Sequence, residues 1–395
     1  MNDRPPPIVG RPVAGPAAVV GVAGAIAIGL GFAVVPERAF AAYLAAWSAV
    51  ATLAIGGLAM LMIGYAANAR WPSVVRRPTE AVAAALAPVA VLAIPLFVAP
   101  ARVWPWVDPS PELVHAVEVK RAWLSVPFFT VRSAVYLGLF VVAAELLRAW
   151  SRRRDRTPAP GSPPPDADVL RRERRFASVA LPVLGLAVTF AAFDWLMSLQ
   201  PDWWSSGFGL YILAGALASG QAAIVVAAWR AHARGALPLR PPHYHALGRV
   251  LHALVTVWAY LAYFQAMLIQ IADKPSEVGF YLQRTGGGWQ WAAVAMVALL
   301  FAIPFPLLIF RAVKRRGNAL AAIAALVVAG HLVHSWWLVV PRVSDSAVPS
   351  WTDLAAFAAV GGLSLAVSAW RTRRIPPLVA GDPYLADGLA YETST

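Results

Sequence analysis

The sequence predicts an all-α polytopic membrane protein with about ten transmembrane helices. Three observations carry this. Hydrophobic residues make up 59% of the 395 and charged residues only 13%, about half the charge of an ordinary soluble domain. Apolar runs of roughly 20 residues, the length that crosses a bilayer, recur from one end of the chain to the other. The basic residues gather between those runs, where membrane topology puts them. The net charge of +13 therefore points to a membrane and not to nucleic acid.

The runs fall near 13–35, 40–68, 81–100, 124–148, 176–199, 204–229, 248–272, 289–311, 318–340 and 352–370. Helices are required because an open chain in lipid must satisfy its own backbone, and the alternation of a barrel strand is missing. The opening MNDRPPPIVGRP lacks the basic, apolar and cleavage order of a signal peptide. The first run thus reads as a retained helix, preceded by a tail over 1–12. The membrane part divides into a first half, 13–150, and a second, 173–371. Between them, 151–172 (SRRRDRTPAPGSPPPDADVLRR) is dominated by proline and arginine. It reads as a disordered linker, with its arginines against anionic lipid. The polar C-terminal tail, 372–395, is expected to be mobile.

Orientation follows from the Lys and Arg positions. If the tails and even-numbered loops share one side, the other side holds only Arg38, Arg102, Lys120, Arg121, Lys274, Arg284 and Arg342, with Arg132 inside a run. The rest of the 33 basic residues lie on the first side. This bias places both termini in the cytoplasm. The chain has no cysteine. That excludes disulfides, cysteine-ligated iron–sulfur clusters, covalently attached c-type haem and thiol catalysis within it.

The ionisable groups inside the runs are the candidate functional residues. Asp194 ends a long uncharged stretch in FDWLMSLQPDWW, about 27 Å from Phe176 along a helix. That places it roughly one turn below the outer surface, with Trp195, Trp203 and Trp204 as an aromatic belt. Arg132 has a similar depth on the preceding antiparallel helix, so the two are expected to pair. Glu145 and His252 lie near the inner ends of the fourth and seventh runs. Glu145 has Arg148 at i+3 as a simple partner, and His252 also fits a packing histidine. His331 and His334 share one face of the ninth run. Two histidines on one helix do not make a bis-histidine haem site, and the depth of His252 does not match theirs. His243 and His245, in a loop, are weak evidence for a metal.

FDWLMSLQPDWWSSGFGLYILAGALASGQAA resembles a signature of the alternative complex III family, D-W-x-M-S-L-x-P-x-W followed by S, F-G-x-Y and A-G. Other segments agree in order: RWPSVVRRPTE, KRAWLSVPFFTVRSAVYLGLF, LGRVLHALVTVWAYLAYFQAMLIQIADKPSEVGFYLQRTGGGW and HSWWLVVP. The resemblance covers roughly 40–375. It is to the F-type membrane subunit of these quinol:electron-acceptor oxidoreductases, which is similar to the NrfD/polysulfide-reductase membrane-anchor fold. It implies two four-helix bundles, runs two to five and six to nine, with runs one and ten peripheral. It also implies a bacterial inner-membrane respiratory complex. The partners would be a paralogous NrfD-like membrane subunit, an iron–sulfur subunit and c-type cytochrome subunits, besides lipid. Haem c and iron–sulfur clusters would sit on those partners, and quinol would bind within the complex.

Two functional expectations follow. In one the chain is a non-redox subunit that conducts protons or couples energy. Its outer half-path would use Asp194, Arg132, His334 and His331, and its inner half-path Glu145 and His252. In the other the chain binds quinol in an aromatic-lined cleft. A purely structural anchor is the third reading.

Overall fold

The computed structural model describes residues 11–155 and 167–392. Ten helices in it are long and apolar enough to cross a membrane. We number these spans one to ten: Val13–Val34, Pro36–Ala66, Trp71–Val98, Val126–Arg154, Leu170–Leu199, Phe208–Ala233, Pro241–Ala272, Trp289–Ile309, Gly317–Arg342 and Trp351–Thr372. No strand occurs among the described residues. Their outward faces carry Val20, Ile26, Val131, Val179, Leu186, Ile271 and Leu354, all more than half exposed. Apolar surface of that extent is tolerated in hydrocarbon and not in water. The chain is a multi-pass membrane protein.

Packing sorts the spans into two four-helix bundles. Spans two to five contact one another in a ring, as do spans six to nine. Spans two and six join the bundles, and spans one and ten form an outer pair seated on span two. In span two, 78% of the apolar window is buried, against 22% in spans seven and eight. The centre of the molecule is therefore the seam around span two. Small residues build that seam. A Cβ on Gly56 would overlap the Ala216 carbonyl, and one on Gly220 would overlap the Gly56 backbone. Between hydrocarbon-soluble helices there is little hydrophobic drive, so such close backbone approach is what holds them together.

Two spans are irregular, and proline explains both. Span three is a chain of short helices, Trp71–Val75, Arg76–Ala83, Leu86–Leu92 and Ile94–Val98, interrupted around Pro88 and Pro95. Span eight contains a π segment at Ala298–Ala302, with the Ile303 N–H donating to the Ala298 carbonyl at 2.9 Å. Pro304 follows at once; its ring displaces the ordinary ladder, and the wider turn absorbs the extra residue.

The two sets of loops separate cleanly. At one end, Gln200 of the fifth loop donates to Gln283 of the seventh (2.8 Å), and Arg342 donates to the carbonyl of Val103 in the third (2.9 Å). At the opposite end the even loops meet the C-terminal segment. This corrects the expectation of a mobile tail over its described part, residues up to 392. Arg76 pairs with Asp382, and Ser73 donates to the Tyr384 carbonyl. His243 Nε2 lies 2.8 Å from the Gly388 carbonyl, and Arg240 donates to the Leu389 carbonyl and to Glu392. The tail is held because it brings carboxylates and carbonyls to arginines that would otherwise lack partners. His243 and His245 gather no metal set: among the described residues no group of three or more His, Cys, Asp or Glu converges.

The linker is also shorter than expected. Span four runs to Arg154, and the next helix begins at Ala167. Helix continues because its charges are paired: Arg77 with Asp155 and Ser151, and Arg154 with Glu173. The middle of the expected linker, 156–166, lies outside the described residues.

Candidate functional site

Among the described residues, three of the polar groups in the interior differ in how completely they are satisfied. The first is built around Asp194, at the end of span five and fully buried. Arg132 of span four donates through Nε to Oδ2 and through Nη2 to Oδ1, both at 2.8 Å. Trp123 Nε1 donates to Oδ1 at 2.8 Å and the Tyr136 hydroxyl to Oδ2 at 3.1 Å. A carboxylate has about four acceptor sites, and all are taken. Arg132 Nη1 donates to the Trp123 carbonyl (3.1 Å), and its guanidinium lies 4.0 Å from the Trp123 ring centroid and 4.2 Å from that of Phe128. The expected pairing is present, and it is closed.

The motif around Asp194 packs inward more than a belt would. Trp195 is buried and donates to Ser133 Oγ at 3.0 Å; Trp203 is buried and stacks on Phe280 with centroids 4.2 Å apart. Of the three tryptophans only Trp204, 58% exposed, faces outward. Beside the motif, Lys120, Trp123, Phe193, Asp202, Trp203 and Trp204 line a cleft of 580 Å³. Burial lowers the Lys120 pKa there, and Asp202 pulls it the other way.

The second group lies at the seam. His331 Nε2 is 2.9 Å from Thr52 Oγ1 and 3.2 Å from the Ala49 carbonyl of span two. The Ala49 carbonyl can only accept, and the Thr52 hydroxyl has carbonyl acceptors of its own in Ser48 at 2.6 Å and Ala49 at 3.2 Å. Nε2 is then the donor and Nδ1 the bare acceptor, which has no hydrogen-bond partner. One turn on, His334 is buried with neither ring nitrogen partnered. Its ring stands 5.0 Å from Tyr211 of span six, 5.8 Å from Trp258 of span seven and 6.0 Å from His331, centroid to centroid. Ser48 and Ser335 hydroxyls, 3.4 Å apart, extend the polar line between spans two and nine. Buried groups of this kind are ordinarily satisfied by protein or water, so three imidazole nitrogens are open to small hydrogen-bonding species.

The inner candidates separate. Glu145 pairs with Arg148 (3.0 Å) and with Arg371 of span ten (2.7 Å). His252, half-buried on span seven, packs against Phe305 at 5.0 Å. They belong to different bundles and share no partner, so the structure does not join them into one half-path. It likewise sets His252 apart from the surroundings of His334.

The third group was not singled out from the sequence. Arg76, Arg77, Glu80, Arg154 and Glu173 are all buried where spans three, four and five meet the even loops. Arg77 Nη1 donates to Glu80 (2.6 Å), and Arg154 pairs with Glu173 (3.0 Å) and donates to the Tyr65 hydroxyl (2.9 Å). At its edge, burial raises the Asp155 pKa, opposed by Arg77. The signal was RRPTE, with a carboxylate at i+3, although arginines beside an apolar run look like ordinary topology markers. Arg284 counts on sequence grounds as a loop charge. It is buried, donating to the carbonyls of Phe280 (2.6 Å), Leu338 (2.9 Å) and Trp337 (3.2 Å), over the Phe280 ring. Burial lowers its pKa to about 9, with Tyr281 and Tyr211 acting in the opposite direction.

No known protein-family model matches the chain, and no curated protein sequence matches it significantly.

Proposed function

We propose that the chain is an integral membrane subunit of a quinol-oxidising respiratory complex of the alternative complex III type, carrying no redox centre of its own and conducting protons along the seam between its bundles. The observation that carries the proton role is the His331–His334 pair. A neutral imidazole can accept a proton at one ring nitrogen while releasing one from the other, and these two lie in the interior with open nitrogens. The hydroxyls of Thr52, Ser48 and Ser335 continue the polar line. The Arg132–Asp194 pair is better suited to fixing the outer end of span five than to carrying protons, because its acceptor sites are filled.

The assignment to such a complex rests on the ordered resemblance, and two four-helix bundles with a peripheral pair agree with it. On this reading the complex sits in a bacterial inner membrane with both termini cytoplasmic. An iron–sulfur subunit, c-type cytochromes and a paralogous membrane subunit carry the electrons. The test is His334→Phe in the purified complex, reconstituted in liposomes. Quinol turnover is expected to persist with fewer protons released per electron. An assembled variant with the full proton yield would sink the proton role.

Quinol binding has one observation in its favour: the 580 Å³ cleft lined by tryptophans beside the signature motif. An iron–sulfur cluster of a partner within electron-transfer reach of that cleft would favour this second reading.

A further inference from the structure

A second cavity, of 430 Å³, opens among spans two, three, six, nine and ten, with Val13 of span one at its edge. Its walls are apolar, with Val50, Val226 and Leu332 among them. Arg230 and Arg234 also line it. They stand at the even-loop end of span six, and neither makes an ion pair or hydrogen bond among the described residues. Ser364 and Ser368 of span ten line it as well. Both are more than nine-tenths buried, and neither hydroxyl has a hydrogen-bond partner. A serine in a helix usually bonds back to its own carbonyls, as Thr372 does to that of Ser368 at 2.8 Å. Two orphan hydroxyls one turn apart, beside two unneutralised arginines, call for a ligand with oxygen acceptors and negative charge.

The order along the cavity narrows the ligand further. Arg230 and Arg234 are at the rim. Ser368 lies about 6 Å in from the end of span ten and Ser364 about 12 Å in, at 1.5 Å per residue. Val50 and Leu332 lie deeper, each roughly 22 Å or more from the even-loop ends of their spans. Charge, then hydroxyl donors, then apolar wall is the order of phosphate, glycerol ester and acyl chain. Leu365, 47% exposed, lines the same cavity, so the groove is open sideways to the bilayer. We propose that this groove is a specific site for an anionic phospholipid: the Arg230 and Arg234 guanidiniums hold the phosphate, Ser368 and Ser364 donate to the ester carbonyls, and one acyl chain fills the apolar end. A quinol, neutral in its headgroup, gives the two arginines nothing to neutralise. Basic pockets between transmembrane helices on one membrane face are a recurrent way of binding lipid headgroups.

The test is native mass spectrometry of the delipidated full-length chain, titrated with phosphatidylglycerol, phosphatidylcholine or a ubiquinone. The wild type is expected to bind one phosphatidylglycerol in preference to phosphatidylcholine. Arg230→Gln with Arg234→Gln should weaken phosphatidylglycerol about 30-fold, at about 1 kcal/mol per lost cation. Arg230→Lys with Arg234→Lys should stay within about threefold, since charge is kept. Ser364→Val with Ser368→Val should weaken it by about tenfold or more, from two lost hydrogen bonds. Equal retention in the Gln variant, equal wild-type affinity for the two phospholipids, or displacement by ubiquinone would each overturn the proposal. If the Gln variant fails to fold, the wild-type comparison of the two phospholipids decides alone.

Discussion

Arg132 and Asp194 face each other across spans four and five in a two-bond, side-on ion pair, with both N···O distances at 2.8 Å. The Trp123 indole and the Tyr136 hydroxyl complete the carboxylate, and two aromatic faces flank the guanidinium. An aspartate can end an apolar run because its whole hydrogen-bonding capacity is met inside the protein. Such a pair contributes little net stability as a unit, but removing one member leaves an uncompensated buried charge.

Asp194→Asn is therefore expected to destabilise the chain by about 3–5 kcal/mol. Arg132→Met combined with Asp194→Leu should recover much of that, because no charge then stays behind. Thermal unfolding of the detergent-purified variants measures both. An Asn variant as stable as wild type would show that the pair is not holding spans four and five together.

Gly220→Leu tests the seam. A side chain there must enter the backbone of Gly56 and Gly57, so spans two and six have to separate. Overpacking in a close-packed interior costs about 1–3 kcal/mol for modest additions, and here the obstacle is backbone, which yields less than a side chain. The same substitution at Gly138, which has nothing within 4 Å of its Cβ position, should be silent. Folded yield after size-exclusion chromatography separates the two outcomes.

How far the sequence could be read depended on the range of the interactions involved. Spans were legible because hydrophobic length is local. The Arg132–Asp194 pair was legible because equal depth on consecutive antiparallel helices is a short topological step. The bundles needed the resemblance, since apolar helices do not announce their neighbours. The seam position of His331 was hidden because its partners, Thr52 and Ala49, lie more than 270 residues away in the chain. Distance also hid the tail: Arg76 and Asp382 pair across 306 positions, and a polar C-terminus by itself carries no sign of docking. The inward turn of Trp195 was missed because its polar partner, Ser133, lies on another span.

His334→Phe should behave opposite to Asp194→Asn. Both His334 nitrogens lack a partner, and a buried unsatisfied polar atom costs about 1–3 kcal/mol. Phenylalanine fills the space between Tyr211 and Trp258 without that penalty, so stability should hold or rise by up to about 2 kcal/mol. A fall in melting temperature comparable to that of Asp194→Asn would mean that ordered water satisfies His334 and contributes to the fold. Stability kept while proton yield is lost would mark His334 as a residue retained for its chemistry.

The last prediction concerns the docked tail. Asp382 is the carboxylate partner of buried Arg76, whose guanidinium also lies 4.6 Å from the centroid of the Tyr65 ring. Asp382→Asn leaves that cation buried with weaker neutralisation, and a cost of about 3–5 kcal/mol follows. The effect should reach beyond the tail, because Arg76 opens the segment that carries Arg77 and Glu80 toward Asp155. Limited proteolysis reads this directly: the region around Tyr384 should resist cleavage in the wild type and be cut readily in the Asn variant. Asp387→Asn, which loses only the exposed pair with Arg70, should cost at most about 1 kcal/mol and leave the protection in place. Equal cleavage of wild type and Asp382→Asn would show that the tail is not held by Arg76.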